Sequence, residues 1–200
     1  MIVIQTGNIG GLVRYQKGHK DESRQRIMEV AADRFRSDGI AASGLAAIMS
    51  DAGLTNGAFY PHFPSKADLV RESIAAALDR QIELIRTILP QGGIEAAIGG
   101  YLSHEHRDDP RGGCALAALL PELARQPLEA RRVYAERFAM IARELASVLP
   151  KNIEDREATA IGLFMTLVGT LQLARTVKGT EMSDRVLAAG REAARKLVRN

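Results

Sequence analysis

The chain has 200 residues, 46% of them hydrophobic and 26% charged, which is an ordinary globular composition for one large or two small domains and argues against disorder. A single cysteine, Cys114, excludes an internal disulfide framework and suits a reducing compartment. The formal net charge of +3 is too small to establish a nucleic-acid partner by itself.

Targeting signals are not expected. No apolar run approaches the roughly 18 residues of a membrane span. The start "MIVIQTGNIGG" has no basic residue ahead of its apolar run and no small-residue cleavage pattern. We therefore expect a cytoplasmic protein without a membrane partner.

Residues 1–20 form a separate piece, which we interpret as a mobile N-terminal arm. Gly7, Gly10 and Gly11 do not fit the G-x-G-x-x-G phosphate-binding spacing, and no β-rich run follows that could supply a parallel sheet. A cluster of basic residues closes the arm, and we hypothesise that it contacts DNA phosphates or the minor groove through Arg14, Lys17 and Lys20.

Three short helices are predicted next. Apolar residues recur at helical spacing from Ser23, a candidate N-cap, to Gly39, which ends the first helix. Ser43 or Gly44 caps a second helix that ends at Gly53. Thr55 is placed to cap a third, very short helix over 56–63.

Further helices fill the remainder, and strand signals are almost absent. Ser65, with Asp68 three residues later, opens a long helix that Pro90 is expected to stop. A glycine-weakened helix, a segment from about Cys114 to Gln126 and a helix from Pro127 to Leu149 follow. Two more helices complete the chain, so the sequence predicts an all-α fold of about nine helices.

The three short helices match the helix-turn-helix plan, in which the second helix of the pair enters the DNA major groove. Phe59 and Phe63 are four residues apart, so both can bury the back of the short third helix against the first. Tyr60 and His62 then point elsewhere and suit contacts to phosphate oxygens, which fix register without reading sequence.

Residues 23–72 resemble the TetR/AcrR family of transcriptional regulators. The stretches that carry the resemblance are "RIMEVAADRFRSDGI" and "GLAAIMSDAGLTNGAFYPHFPSKADLV". The resemblance implies an N-terminal three-helix DNA-binding domain, assigned to residues 21–68, and a C-terminal ligand-binding and dimerisation domain, assigned to residues 69–200. It also implies no cofactor, no catalytic residue, a double-stranded DNA operator and a small-molecule effector. The implied DNA-facing residues are Ser43, Gly44, Thr55, Asn56, Gly57, Ala58, Tyr60, His62 and Lys66.

Several positions depart from the family's usual pattern. The family often has a lysine where Asn56 stands, a hydroxyl where Gly44 stands and an arginine where Ala46 stands. Pro61 also removes a hydrogen bond inside the predicted recognition helix. Because these departures leave few cations near the predicted recognition helix, we expect DNA binding to show a shallow salt dependence.

The C-terminal half is interpreted from its pattern. "AIGLFMTLVGTLQLARTV" is apolar on nearly every side, and Gly162 and Gly169 permit close helix approach, so the last two helices are expected to form a homodimer interface. The alternative is a helix that is merely buried. Candidates for an effector pocket are Tyr101, His104, Cys114, Tyr134, Phe138 and Met165.

Two local features have competing interpretations. Cys114, before an apolar helix, is either a redox or electrophile sensor or a buried inert cysteine. "HEHRDD" has metal-ligand residue types, but two histidines two apart on a helix point about 200° from each other, which favours a solvated loop end over a metal site.

The expected function is that of a homodimeric transcriptional regulator, a repressor released from a near-palindromic operator by a small molecule. No catalytic motif is visible, so an enzyme is not expected. The alternative is a helical adaptor of the same fold that lacks specific DNA binding.

Overall fold

A computed structural model of the chain describes residues 15–199, with side chains from residue 20 onward. Within this range the chain forms eight α-helices and one 3₁₀ turn. The helices are α1 (Tyr15–Asp38), α2 (Leu45–Asp51), α3 (Lys66–Tyr101), α4 (His104–Asp108), α5 (Ala115–Leu123), α6 (Leu128–Val148), α7 (Arg156–Thr176) and α8 (Glu181–Arg199), and the 3₁₀ turn is Asn56–Ala58. The all-α fold class is confirmed.

The first helix begins earlier than predicted. Ser23 lies inside α1 rather than at its N-cap, because helix-compatible polar residues extend the helix back to Tyr15. The glycine-rich start of the arm and the side chains of Arg14 and Lys17 lie outside the described residues, so their predicted contacts stay predictions.

The helix-turn-helix body is built around a small apolar core. Phe35 of α1, Ile48 and Met49 of α2, and Phe59 and Phe63 are all buried. The turn after α2 passes through Gly53, whose φ of +71° lies in the left-handed region that favours glycine.

The long helix α3 leaves this body and enters the C-terminal half. Ser65 caps it as predicted: its hydroxyl accepts from the Asp68 backbone N–H at 3.2 Å and donates to the Asp68 carboxylate at 2.7 Å. Pro90 does not stop the helix. The break comes at Gly93, where φ is +62° and ψ is −165°, before helical geometry resumes to Tyr101.

The C-terminal half is a helical layer packed on α3. Helix α6 packs along α3, α7 packs on α6, and α7 and α8 form an extensive pair. Helix α5 lies between α1 and α7 and so connects the two halves of the chain.

The composition of helix α7 contradicts the expectation that no apolar run approaches the length of a membrane span. Its length and composition would allow it to cross a membrane, and no other helix within residues 15–199 meets that criterion. Seven of its residues, from Ala160 to Ala174, are buried in the protein, so the core accounts for part of its apolar character.

Candidate nucleic-acid interface and effector cavity

The segment over 56–63, predicted as the very short third helix, is a compact turn instead. Asn56–Ala58 form a 3₁₀ turn, and the N–H groups of His62 and Phe63 both donate to the Phe59 carbonyl, at 2.9 and 3.1 Å. Pro61 has no N–H to continue a regular helix. The element is therefore held by its anchors rather than by its own hydrogen-bond ladder.

Phe59 and Phe63 are those anchors, as predicted. Their rings are stacked with centroids 5.8 Å apart, and both side chains are almost completely buried. The Tyr60 ring meets the Phe59 ring edge-on at 5.3 Å but is itself 68% exposed. The pair thus fixes the turn while Tyr60 remains available to a partner.

The opposite side of the turn faces solvent. Thr55, Asn56 and Gly57 are exposed, Ala58 is half-buried, and a Cβ added at Gly57 would meet no atom within 4 Å. The Thr55 side chain makes no cap hydrogen bond, so its hydroxyl is open to a partner. These predicted base-facing residues share one accessible surface.

His62 and Lys66 lie beside that surface but are less free. The Lys66 ammonium donates to the Ile40 carbonyl at 2.7 Å, so one of its three N–H donors is already engaged. His62 is half-buried, and its Nδ1 is buried without a hydrogen-bond partner. Burial, with the charges of Lys20 and Arg24 nearby, lowers the pKa of His62 and favours its neutral form.

Ser43 and Gly44 precede α2, as expected, but only Gly44 is exposed. Ser43 is completely buried, and its hydroxyl donates to the Gly39 carbonyl at 2.7 Å. Its role in the structure is to close the loop between α1 and α2, which argues against a side-chain contact with DNA.

The cations around this face are largely committed within the protein. Arg34 is paired with Asp51 at 2.7 Å, and Arg24 is paired with Glu72 while its guanidinium lies 4.6 Å from the centroid of the Phe63 ring. Lys20 is exposed and close enough to His62 for its charge to act there. Few of the described cations near this face are therefore free to bind DNA phosphates.

A cavity of about 500 Å³ opens in the C-terminal half. Tyr101 and Cys114, two of the predicted pocket residues, line it together with apolar side chains of α3, α6 and α7. Cys114 is buried and is the N-cap residue of α5, whereas Tyr101 is half-buried. A cavity of this size is in the range that holds small organic ligands.

His106, rather than the predicted His104, reaches this cavity. Its Nε2 accepts from the Cys114 N–H at 3.1 Å, and its Nδ1 lies 2.7 Å from the Tyr101 carbonyl, which together define a neutral ring protonated at Nδ1. Burial is the main cause that lowers the pKa of His106, and the charge of Arg175 adds to it.

Other predicted pocket residues lie elsewhere. His104 is exposed and faces Asp184 at 3.3 Å, and Met165 is 65% exposed on α7. Phe138 is half-buried and packs on the lining residue Phe164 with centroids 5.6 Å apart. Tyr134 is buried with its hydroxyl unpartnered, and burial raises its pKa to about 12.

The sequence did not single out three polar lining residues, Arg36, Arg80 and Gln81. Arg36 comes from α1, 41 residues before Ala77, the first apolar lining residue of α3, so no local pattern indicates it. Within the described residues no group of three or more His, Cys, Asp or Glu side chains is arranged to hold a metal ion.

Architecture and exposed turn together define a helix-turn-helix DNA-binding domain joined to an all-helical domain with a ligand-sized cavity. Residues 27–73 match the family model described as "Bacterial regulatory proteins, tetR family". The resemblance to the TetR family that the sequence motifs predicted is thus confirmed for this segment of the chain.

Curated relatives match mainly this first domain. The chain is 39% identical over 61 residues to the HTH-type transcriptional regulator AcrR of Shigella flexneri and 43% identical over 60 residues to TtgR of Pseudomonas putida. Each match spans 30% of this chain and only 28% or 29% of the relative. These relatives are transcriptional regulators rather than enzymes.

Solved structures share the whole fold. A TetR-family regulator from Agrobacterium tumefaciens superposes with a TM-score of 0.74 at 19% identity, covering 90% of this chain and 99% of the other. A TetR regulator from Legionella pneumophila gives 0.73 at 21% identity, covering 88% and 96%. The C-terminal half therefore has the architecture of such regulators despite low sequence identity.

Proposed function

We propose that this chain is a homodimeric transcriptional repressor that binds a near-palindromic operator in the cytoplasm and is released by a small molecule in the cavity described above. One observation carries the DNA-binding part. Thr55, Asn56, Gly57 and Tyr60 form an exposed surface on a turn whose other side is fixed by two buried phenylalanines. Such a rigid, shallow element suits insertion into a major groove.

Specific contacts follow from that surface. We expect Thr55 and Asn56 to reach base edges, and Gly57 and Ala58 to allow close approach to the groove. Tyr60, and to a lesser extent His62 and Lys66, are expected to position the domain on phosphates. Lys66, in the first turn of α3, retains two donors for this purpose.

The homodimer is supported by apolar side chains left exposed on the last two helices. Met165 and Leu173 lie eight residues apart on α7, and Met182 and Leu197 are exposed on α8. Gly169 lies between the first two, exposed, with open space where its Cβ would be. A second copy would bury this surface and set two recognition elements at a fixed spacing.

An adaptor without specific DNA binding is the second candidate. It is favoured by the shortage of uncommitted cations near the recognition turn, since Arg24 and Arg34 both pair with carboxylates. A measurement of DNA binding separates the two candidates directly.

The test is selection of the purified full-length protein on random double-stranded DNA at low salt, followed by sequencing. The proposal predicts an enriched near-palindrome that Tyr60→Ala and Asn56→Ala fail to enrich. Leu128→Ala is the matched control, because Leu128 is 54% exposed on α6, outside the helix-turn-helix body. No enrichment by the wild type would overturn the proposal in favour of the adaptor.

A further inference from the structure

The cavity has a polar end with an unusual charge composition. Two arginines, Arg36 and Arg80, line it, and the described lining contains no aspartate or glutamate. Tyr101, His106 and Gln81 complete the polar lining, and the remaining residues are mainly aliphatic. The described lining therefore offers no negatively charged side chain to a cationic ligand.

Several polar atoms at this end have no partner. The Tyr101 hydroxyl is buried beside the Cys114 thiol without a hydrogen bond of ordinary geometry, and Gln81 Oε1 is likewise buried and unpartnered. Arg175 lies next to the lining residue Gly113, with Nη2 3.0 Å from the position that a Cβ on Gly113 would take. The Nη1 atom of Arg175 is buried and has no hydrogen-bond partner. Buried polar groups normally have partners, so these groups point to a missing one.

The carboxylates nearest to this end do not neutralise it. Asp33 binds one edge of Arg36, with Oδ1 2.6 Å from Nη2, while Arg36 Nε donates to the Arg111 carbonyl. Asp109 accepts from the Gly112 N–H at 3.0 Å. Three arginines therefore face two aspartates, and burial lowers the pKa of both Arg36 and Arg175, as expected for cations that lack full compensation.

We propose that the cavity binds an amphipathic organic anion, a carboxylate with an apolar body, whose charged group meets Arg36, Arg80 and the Tyr101 hydroxyl. The apolar body lies along Leu84, Ile85, Ile88 and Leu145. The arginine fork suits a carboxylate in two-point contact. This inference names the chemical class of the effector and so rests on the proposed function for its regulatory meaning.

The position of Arg36 gives the anion a route to the DNA-binding domain. Arg36 lies in the last turn of α1, whereas Arg80, Tyr101 and Gln81 belong to α3. An anion between them bridges the two helices and competes with Asp33 for the same guanidinium. Binding is thus coupled to the placement of α1 to the extent that the anion prefers one placement.

The test uses the full-length protein without DNA and compounds matched in shape. Calorimetric titration compares 4-phenylbutyrate and decanoate with their neutral amides and with 4-phenylbutylamine and decylamine. We expect at least one carboxylate to bind roughly tenfold or more tightly than its amide, and the amines to bind least, because charged hydrogen bonds are the discriminating contacts. Equal binding of acid and amide, preferred binding of an amine, or no binding by either acid overturns the proposal.

Variants then locate the contact. Arg36→Gln and Arg80→Gln should each reduce the preference for acid over amide, and Arg36→Lys should restore part of it. Arg132→Gln is the control, because Arg132 is exposed on α6 and does not line the cavity. Arg80 is also exposed, so its variant remains informative if loss of the partly buried Arg36 disturbs folding. An unchanged preference in both glutamine variants contradicts the assignment.

Failure of this inference and failure of the proposed function are distinguishable. If a carboxylic acid binds but does not release the protein from selected DNA, the anion site stands and its role as the effector site is overturned. DNA selection that fails while acid binding persists would overturn only the operator. DNA binding with no acid preference would overturn only the anion site.

Discussion

Gly190 shows how closely α7 and α8 approach at a single residue. A Cβ at this position would lie 2.2 Å from Thr170 Cγ2 and 2.4 Å from Thr170 Oγ1. Gly190→Ala should therefore destabilise the protein by about 1–3 kcal/mol, measured by urea denaturation, through overpacking. Thr170→Ala in the same chain should recover part of the loss. Gly99→Ala, where nothing lies within 4 Å, should be neutral or stabilising.

His106 predicts a pH dependence at the residue scale. Its pKa is lowered in the folded protein, mainly by burial, so the unfolded chain binds more protons as the pH falls. The stability that the neutral ring contributes is complete above a pH of about 6.5 and declines as the pH falls through the lower folded pKa.

His106→Gln should flatten part of this decline in unfolding free energy between neutral and acidic pH. The rest should persist, because the pKa of His62 is lowered in the same direction. Arg132→Gln, an exposed change outside the cavity, should keep the wild-type decline. A His106→Gln profile with the full wild-type decline would contradict the assignment.

Individual site residues were predictable where local spacing determines them. The separation of four residues between Phe59 and Phe63 was enough to identify both anchors and to leave Tyr60 outward. Ser43 and Lys66 were not predictable, because their partners, Gly39 and Ile40, are backbone carbonyls brought close by the loop after α1. The sequence likewise predicted His104 instead of His106, because the backbone partners of His106, at Tyr101 and Cys114, come together only in the folded chain.

At the scale of elements, α5 holds the first loop of the DNA-binding domain. The Glu122 carboxylate accepts from the N–H of Ile40 at 2.8 Å and of Ala41 at 3.2 Å. Glu122→Ala leaves both amides without this acceptor and should cost about 1–3 kcal/mol of unfolding free energy.

Hydrogen exchange provides a more specific check of Glu122. The amides of Ile40 and Ala41 should exchange faster in Glu122→Ala, whereas Glu129→Ala, an exposed change on α6, should leave them protected. Unchanged protection in Glu122→Ala would mean that this contact does not link the two halves.

The elements themselves were predicted well where caps and periodicity agree, as at Ser65. They were predicted poorly at the proline and glycine residues that were expected to end helices. Pro90 was predicted to stop the helix, but α3 continues through it, and the positive φ of Gly93 makes the break. The short third helix became a 3₁₀ turn because burial of Phe59 and Phe63 stabilises it without a full ladder.

The proposed dimer makes a prediction for the molecule as a whole. Gly169→Leu adds a large side chain on an exposed face of α7 with open space around it in the single chain. Sedimentation should therefore show a folded protein shifted from dimer to monomer. Glu136→Leu, an equally large change on an exposed face of α6, should remain dimeric. A Gly169→Leu protein that stays dimeric would place the interface elsewhere.

The fold class and family of the whole chain were predictable, since the DNA-binding motif lies in one continuous stretch. The cavity was not, because Arg36 on α1 and Phe164 on α7 come together only in the folded chain. Low identity in the C-terminal half is compatible with a shared fold because helical packing tolerates many apolar combinations.

Two copies of the exposed turn at residues 55–60 are proposed to read DNA. Hydroxyl-radical footprinting on the DNA site enriched by selection tests this directly. We expect two symmetric protected blocks on one face of the duplex, with centres separated by about one helical turn or a multiple of it, and both lost together in Tyr60→Ala. A single block, or a footprint that Tyr60→Ala leaves intact, would contradict it.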